Sequence, residues 1–186
     1  LQPNTSKKFI NIENSSQFLI KFTWLKNRKI FKYLITVYYV NLGVSKMNKE
    51  LNDYILKSNT SIIGIVCKDG IVLGADRQST AGNLVLNKNS EKITHFTNYA
   101  LVACTGSVSD IQRSKKLVGA ELKIKELRSR SRPTVKEAAN LYSTVTYYQI
   151  RQFSPIMSIV GSLIAGYNED GTAELYSVEP AGSVVK

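Results

Sequence analysis

The pattern of hydrophobic and polar positions changes character near residue 60. Ser61-Ile62-Ile63-Gly64-Ile65-Val66-Cys67 and Ile71-Val72-Leu73-Gly74-Ala75 are two short apolar runs separated by Lys68-Asp69-Gly70. Two β-rich runs around an Asp-Gly pair predict a hairpin. Nearly every position in both is apolar, so both faces of these strands are expected to be buried. A second pair is expected from Leu84-Val85-Leu86, after a bend at Gly82-Asn83, and residues 92–96. Asn98-Tyr99 then turns into a further apolar strand that reaches Cys104 and ends at Gly106.

Helical spacing follows. Ser109-Asp110-Ile111-Gln112 has the form of a capping box, and Ile111, Val118, Ala120, Leu122, Ile124 and Leu127 recur at intervals near three and four. Pro133-Thr134-Val135-Lys136-Glu137 opens a second helix with another capping box, its stripe formed by Ala138, Leu141, Val145 and Tyr148. Pro155 closes the region, and residues 156–166 and 172–178 read as strands around Asn168-Glu169-Asp170-Gly171. Runs of strands, then helices, then strands predict an α+β layer architecture rather than a doubly wound one.

Before residue 60 the picture differs. Residues 48–59 are polar and weakly patterned, as suits a leader. Residues 1–46 carry eight basic side chains against Glu13 alone, so they supply +7 of the +11 net charge. This stretch starts at Leu1 and is crowded with Lys, Asn, Ile, Phe and Tyr, residues of A/T-rich codons. The expectation is therefore a non-native upstream extension before a start at Met47, with a targeting or anchoring leader as the alternative. The apolar run at residues 33–40 could mimic a signal-peptide core but is too short to span a bilayer. Three Asn-x-Ser/Thr matches, at Asn4, Asn14 and Asn59, matter only in a secreted chain.

At 186 residues the chain can bury one sizeable core. Its two cysteines, Cys67 and Cys104, lie inside apolar runs without metal-like spacing, which points to a reducing compartment and gives no reason to expect a metal or cofactor. The concentration of charge before Met47, with no recognisable binding motif, weighs against a nucleic-acid partner, although a basic binding protein is kept as a rival. His95 is the only histidine and no Gly-x-Ser-x-Gly elbow is present, so a serine or cysteine triad has little to stand on.

The stretch from Asn59 through Arg77, which reads Asn-Thr-Ser-Ile-Ile-Gly-Ile-Val-Cys-Lys-Asp-Gly-Ile-Val-Leu-Gly-Ala-Asp-Arg, resembles the mature start of proteasome β-subunits, particularly archaeal ones. The likeness continues at residues 79–83, 87–93 and 105–110, and covers residues 60–186. A lone Asp at a strand end is usually structural, and a lone Lys is usually a solvated surface residue. Here several positions fall in register together around one hairpin.

The resemblance implies that Thr60 is the nucleophile, supported by Asp76 and Lys92, with Gly106 at the oxyanion site. It further implies a substrate pocket from Ser79, Ser90, Thr94, Cys104, Val108 and Gln112, with the Thr80 backbone pairing to an extended substrate. Simple core packing is the rival reading for Cys104 and Val108. The pocket set is small and neutral, which favours apolar over basic side chains. By the same resemblance residues 47–59 would be a propeptide cut at Asn59–Thr60. Asn59 stands where a glycine is usual, and Ile62 and Gln78 also differ from commoner choices. The implied fold is an Ntn-hydrolase αββα sandwich of antiparallel sheets, incomplete at the C-terminus. The implied setting is a cytoplasmic barrel of stacked seven-membered rings with α-subunits and other β-subunits. A regulatory ATPase would feed it unfolded polypeptide, with neither nucleic acid nor membrane involved. A catalytically silent β-subunit and the simpler bacterial two-ring threonine peptidase are the alternatives within this chemistry.

Overall fold

The computed structural model describes residues 8–12, 18–24, 34–39, 60–67, 70–81, 84–154 and 158–186. The expected propeptide (47–59), the Lys68-Asp69 turn, the Gly82-Asn83 bend and Pro155 lie outside them. Strands β1 (Lys8–Ile12), β2 (Phe18–Trp24) and β3 (Leu34–Tyr39) precede the β4 (Ser61–Cys67) and β5 (Gly70–Asp76) hairpin. β6 (Ser79–Ala81), β7 (Leu84–Asn87), β8 (Ile93–Thr97) and β9 (Ala100–Gly106) follow. Then come helices α1 (Val108–Ser129) and α2 (Val135–Arg151), and strands β10 (Val160–Tyr167), β11 (Ala173–Val178) and β12 (Val184–Val185).

The strands form one five-stranded sheet in the order β1-β2-β5-β4-β3, a second in the order β12-β11-β10-β9-β8, and a β6-β7 ribbon. All pairs are antiparallel. The run at 33–40 that resembles a signal core is therefore largely strand β3, paired with β4 from Leu34↔Val66 to Tyr39↔Ser61.

Alternation along β9 shows how the layers meet. Leu101 and Ala103 face Ile62, Ile71, Leu73 and Ala75 of the first sheet, while Val102 and Cys104 face Val118, Leu122, Ala138 and Tyr142 of the helices. The β8–β12 sheet is thus the middle layer, with helices on one side and the β4–β5 hairpin on the other. Gly64 permits close approach of the sheets: a Cβ there would lie 2.8 Å from a Leu175 methyl. This is the helix–sheet–sheet part of the expected sandwich, and among the described residues no helix covers the far side of the first sheet.

Several expectations are corrected. β4 and β5 alternate buried and half-buried positions, so only one face is sealed. β7 pairs back onto β6 rather than with β8, and β8 pairs with β9. α1 is capped two residues earlier than the expected box, at N-cap Ser107, which makes no side-chain cap bond; its hydroxyl lies 3.0 Å from that of Ser109. The α2 box forms as expected, with Thr134 accepting from the Glu137 N–H and Glu137 accepting from the Thr134 N–H. The α2 stripe is turned, however: Val135, Ala138, Ala139, Tyr142 and Thr146 are buried while Tyr148 is 64% exposed. On α1 the buried residues are Ser114, Val118 and Leu122, and Ala120, Ile124 and Leu127 face outward.

Candidate active site

The β4–β5 hairpin fixes the start of the site. Thr60 immediately precedes β4, and Asp76 ends β5 directly alongside, where its Oδ1 accepts the Ser61 N–H at 2.9 Å. That bond ties the residue after Thr60 to the carboxylate. Asp76 Oδ2 also accepts the Gln78 N–H at 3.2 Å, which turns the chain out of the strand.

Lys92 comes from the segment before β8. Its Nζ donates to Thr60 Oγ1 at 2.9 Å, to Asp76 Oδ2 at 2.7 Å and to the Gln78 carbonyl at 2.7 Å. The lysine side chain is 11% exposed and that of Asp76 20%, so this pair is far drier than a surface ion pair. A hydroxyl oxygen beside a fixed ammonium is stabilised as it loses its proton, because the cation favours the anionic form.

Lys92 is joined to β9 through its own carbonyl, which accepts the Cys104 N–H at 3.2 Å. Gly106 ends that strand at φ +120°, opposite Val160. A Cβ at Gly106 would lie 2.0 Å from the Ile159 carbonyl oxygen, so both the backbone angle and the space demand glycine.

The expected pocket residues divide. Ser79 and Thr80 lie half-buried on β6, opposite Asn87 and Val85. Half-buried Ser90 donates its N–H to the Arg77 carbonyl at 2.8 Å, which places it near the Asp76 turn. Thr94 pairs with Val102 and has a buried Oγ1 with no hydrogen-bond partner among the described residues. Val108 is 58% exposed at the start of α1, against the core-packing reading, and Gln112 is exposed one turn on. Cys104 is not brought to the Thr60 group. Its thiol is buried under the helices, 3.5 Å from the Tyr142 hydroxyl, and burial pushes it up to about 11. Asn59 lies outside the described residues. His95 is an exposed residue of β8.

The Ser61 N–H and the Gln78 carbonyl complete the polar shell, and neither was anticipated. Both are main-chain groups, so only the position of Asp76 in the hairpin register could have pointed to them. Among the described residues no group of acidic, histidine or cysteine side chains is spaced to hold a metal ion. No helix among them is long and apolar enough to cross a membrane.

Fold and site together define a class: an α+β protein of stacked antiparallel sheets, of the Ntn-hydrolase type, with a Thr–Lys–Asp group at the mouth of its central hairpin. Residues 56–186 match the family model described as proteasome subunit, and the chain belongs to that family. It is 40% identical over 125 residues to the proteasome subunit beta of Nanoarchaeum equitans, an alignment covering 67% of this chain and 62% of that protein. The corresponding protein of Methanopyrus kandleri is 35% identical over 138 residues, covering 74% and 63%. That of Ferroglobus placidus is 32% identical over 136 residues, covering 73% and 62%. The likeness is thus to archaeal β-type subunits, and the chain spans a little over three fifths of the length of these relatives.

Proposed function

We propose that this chain is a threonine endopeptidase subunit of a proteasome core particle, with Thr60 as an N-terminal nucleophile released by cleavage of the Asn59–Thr60 bond. The observation that carries this reading is the Lys92 ammonium, hydrogen-bonded at once to the Thr60 hydroxyl and the Asp76 carboxylate.

A threonine hydroxyl needs a base. At a free N-terminus Thr60 supplies its own, an α-amine whose reference pKa of about 7.7–8.0 is close to neutral working pH. While Asn59 is attached, that nitrogen is an amide and accepts no proton, so the leader keeps the hydroxyl unactivated. After cleavage the Thr60 hydroxyl proton passes to the amine, and Oγ1 bonds to the carbonyl carbon of the substrate. Lys92 stabilises the oxygen as it becomes anionic, and the Gly106 N–H faces the oxyanion of the tetrahedral intermediate. Collapse breaks the C–N bond, the leaving amine takes the proton from the α-ammonium, and water then releases the ester on Thr60.

Asp76 orients Lys92 and does not contact substrate in this scheme. Ser79, Ser90, Thr94 and Val108 contribute a small, neutral wall suited to an apolar side chain before the cut, the Thr80 backbone pairs with the extended substrate, and the buried Cys104 lies behind the wall. The subunit works in assembly with other proteasome subunits, α-type and β-type, on unfolded polypeptide.

The deciding experiment is the denatured mass of this β chain after co-expression with a partner α-subunit, with peptide hydrolysis measured alongside. A mass beginning at Thr60, with activity lost in Thr60→Ala, is the expected result. Assembly with Asn59 retained and no hydrolysis would refute the catalytic reading and leave a structural subunit.

A further inference from the structure

Over its 22 residues α1 carries the chain about 33 Å away from Gly106, and the turn at its far end serves neither the core nor the Thr60 group. Residues 128–132 there read Arg-Ser-Arg-Ser-Arg. The helix ends at Ser129, and Arg130 turns the chain with φ 51° and ψ 23°. A left-handed position favours glycine, so what an arginine adds here is its guanidinium. Arg128, Ser129, Arg130 and Ser131 are all exposed. Lys123 and Lys125 pair with Glu126 and Glu137, whereas neither Arg128 nor Arg130 enters an ion pair among the described residues. Arg132 plays a different part. Its guanidinium lies 4.0 Å from the centre of the Tyr99 ring and donates to the Tyr167 carbonyl, which anchors the turn to the sheet.

The two serines of the turn are not equivalent. Ser129 Oγ is enclosed: the Lys125 and Ser131 carbonyls lie 2.8 and 3.1 Å away, and it accepts from the Ser131 N–H at 3.4 Å and the Ser131 hydroxyl at 3.0 Å. Ser131 Oγ has Ser129 Oγ as its one hydrogen-bond partner among the described residues. A dianion on Ser129 would face the carbonyl end of α1, where the helix dipole is negative. On Ser131 it would stand on the N-terminal side of α2, which favours negative charge, with Arg128 and Arg130 on the same exposed turn. We infer that Ser131 is a phosphorylation site for a basophilic serine kinase, which reads Arg128 three residues before it and Arg130 next to it. Ser131 Oγ bonds to the γ-phosphorus of a nucleoside triphosphate, the bond from that phosphorus to the bridging oxygen breaks, and the nucleoside diphosphate leaves. The hydroxyl proton passes to the base of the kinase. Only Thr80, Ser131 and Ser154 follow an arginine by three residues in this chain. Thr80 is half-buried and paired with Val85, and Ser154 has Arg151 alone, whose guanidinium lies 5.0 Å from the centre of the Tyr147 ring. Once made, the phosphoserine pairs with Arg128 and Arg130 and ties the last turn of α1 to the start of α2.

This site stands or falls apart from the Thr60 chemistry. Its test incubates the folded full chain with ATP and a purified serine kinase that requires arginine three residues before its serine. Incorporation is read by intact mass and located by peptide mapping. One phosphoryl group at Ser131 is the expected result. Ser131→Ala should abolish incorporation, and Arg128→Ala should slow it at least tenfold. The phosphorylated chain should melt about 2 °C higher than the unmodified chain at low salt, and the rise should shrink as salt is raised, because exposed ion pairs are screened. Arg130→Ala should remove at least half of that rise. A phosphoryl group on Ser129 or Ser154 with Ser131 unmodified, no incorporation at all, or a thermal midpoint that stays level or falls on phosphorylation would each overturn the inference.

Discussion

Removing the Lys92 ammonium tests the proposed chemistry most directly. Lys92→Ala deletes a cation 2.9 Å from Thr60 Oγ1. At that separation a unit charge stabilises an alkoxide by roughly 5–6 kcal/mol in an effective dielectric of about 20. Water can enter the vacated space and recover part of this, although the side chain is only 11% exposed. A net loss of about 4–5 kcal/mol in transition-state stabilisation corresponds to a fall in kcat/KM of roughly three orders of magnitude or more. The assay is hydrolysis of a fluorogenic peptide by processed, assembled enzyme, with the N-terminus verified by mass so that failed maturation is not read as failed chemistry. Lys92→Arg keeps the charge, but a planar guanidinium cannot meet three acceptors arranged around one ammonium, and roughly a hundredfold loss is expected. A correctly processed and assembled Lys92→Ala enzyme within tenfold of the parent would refute the reasoning, since the cation would then do little at the reacting oxygen.

Other outcomes follow from the same geometry. Gly106→Ala should cost about 3 kcal/mol or more by chemical denaturation, because its Cβ meets the Ile159 carbonyl and its φ is unfavourable; a loss below about 1 kcal/mol would contradict the local geometry. Thr134→Ala should cost about 1 kcal/mol through loss of the α2 cap. Its partner Glu137 is held below the ordinary carboxylate range by the Lys125 ammonium and the Thr134 N–H. Its contribution is therefore present above about pH 4.5 and fades as pH falls through the lowered folded value, so the stability gap between parent and Glu137→Gln should narrow in acid. Cys104, with its thiol pushed up to about 11, should resist iodoacetamide at pH 8 in the folded chain and react once the chain is unfolded; rapid native labelling, located by peptide mapping, would contradict its burial.

The hairpin and the Thr60, Asp76 and Lys92 positions were legible because they rest on short-range signals and on a dense family pattern in register. Helix faces were harder to read. α2 offers two overlapping apolar stripes, one through Leu141 and Tyr148 and one through Ala138 and Tyr142. The second is buried, and the Tyr142 hydroxyl meets the Cys104 thiol, a contact 38 residues apart that no local pattern contains. β7 misled for a related reason. Leu84-Val85-Leu86 is apolar, yet the chain bends back at once and pairs it with β6, leaving Leu84 70% and Leu86 67% exposed. The α1 box matched the Ser-x-x-Gln pattern at Ser109, but the chain turns helical beforehand, at Val108, with Ser107 as its extended cap. The Gln78 carbonyl could not be foreseen, because every residue brings a carbonyl and only the backbone path decides where it points.

The surroundings of Lys92 have a consequence for what that residue can do. An ammonium has three N–H bonds, and here all three have acceptors: a hydroxyl, a carboxylate and a main-chain carbonyl. No donor remains to follow a substrate atom or to hand a proton to a departing amine without breaking one of these bonds. In the proposed reaction Lys92 is therefore a stationary charge, and the protons move through the Thr60 hydroxyl and the α-amine instead.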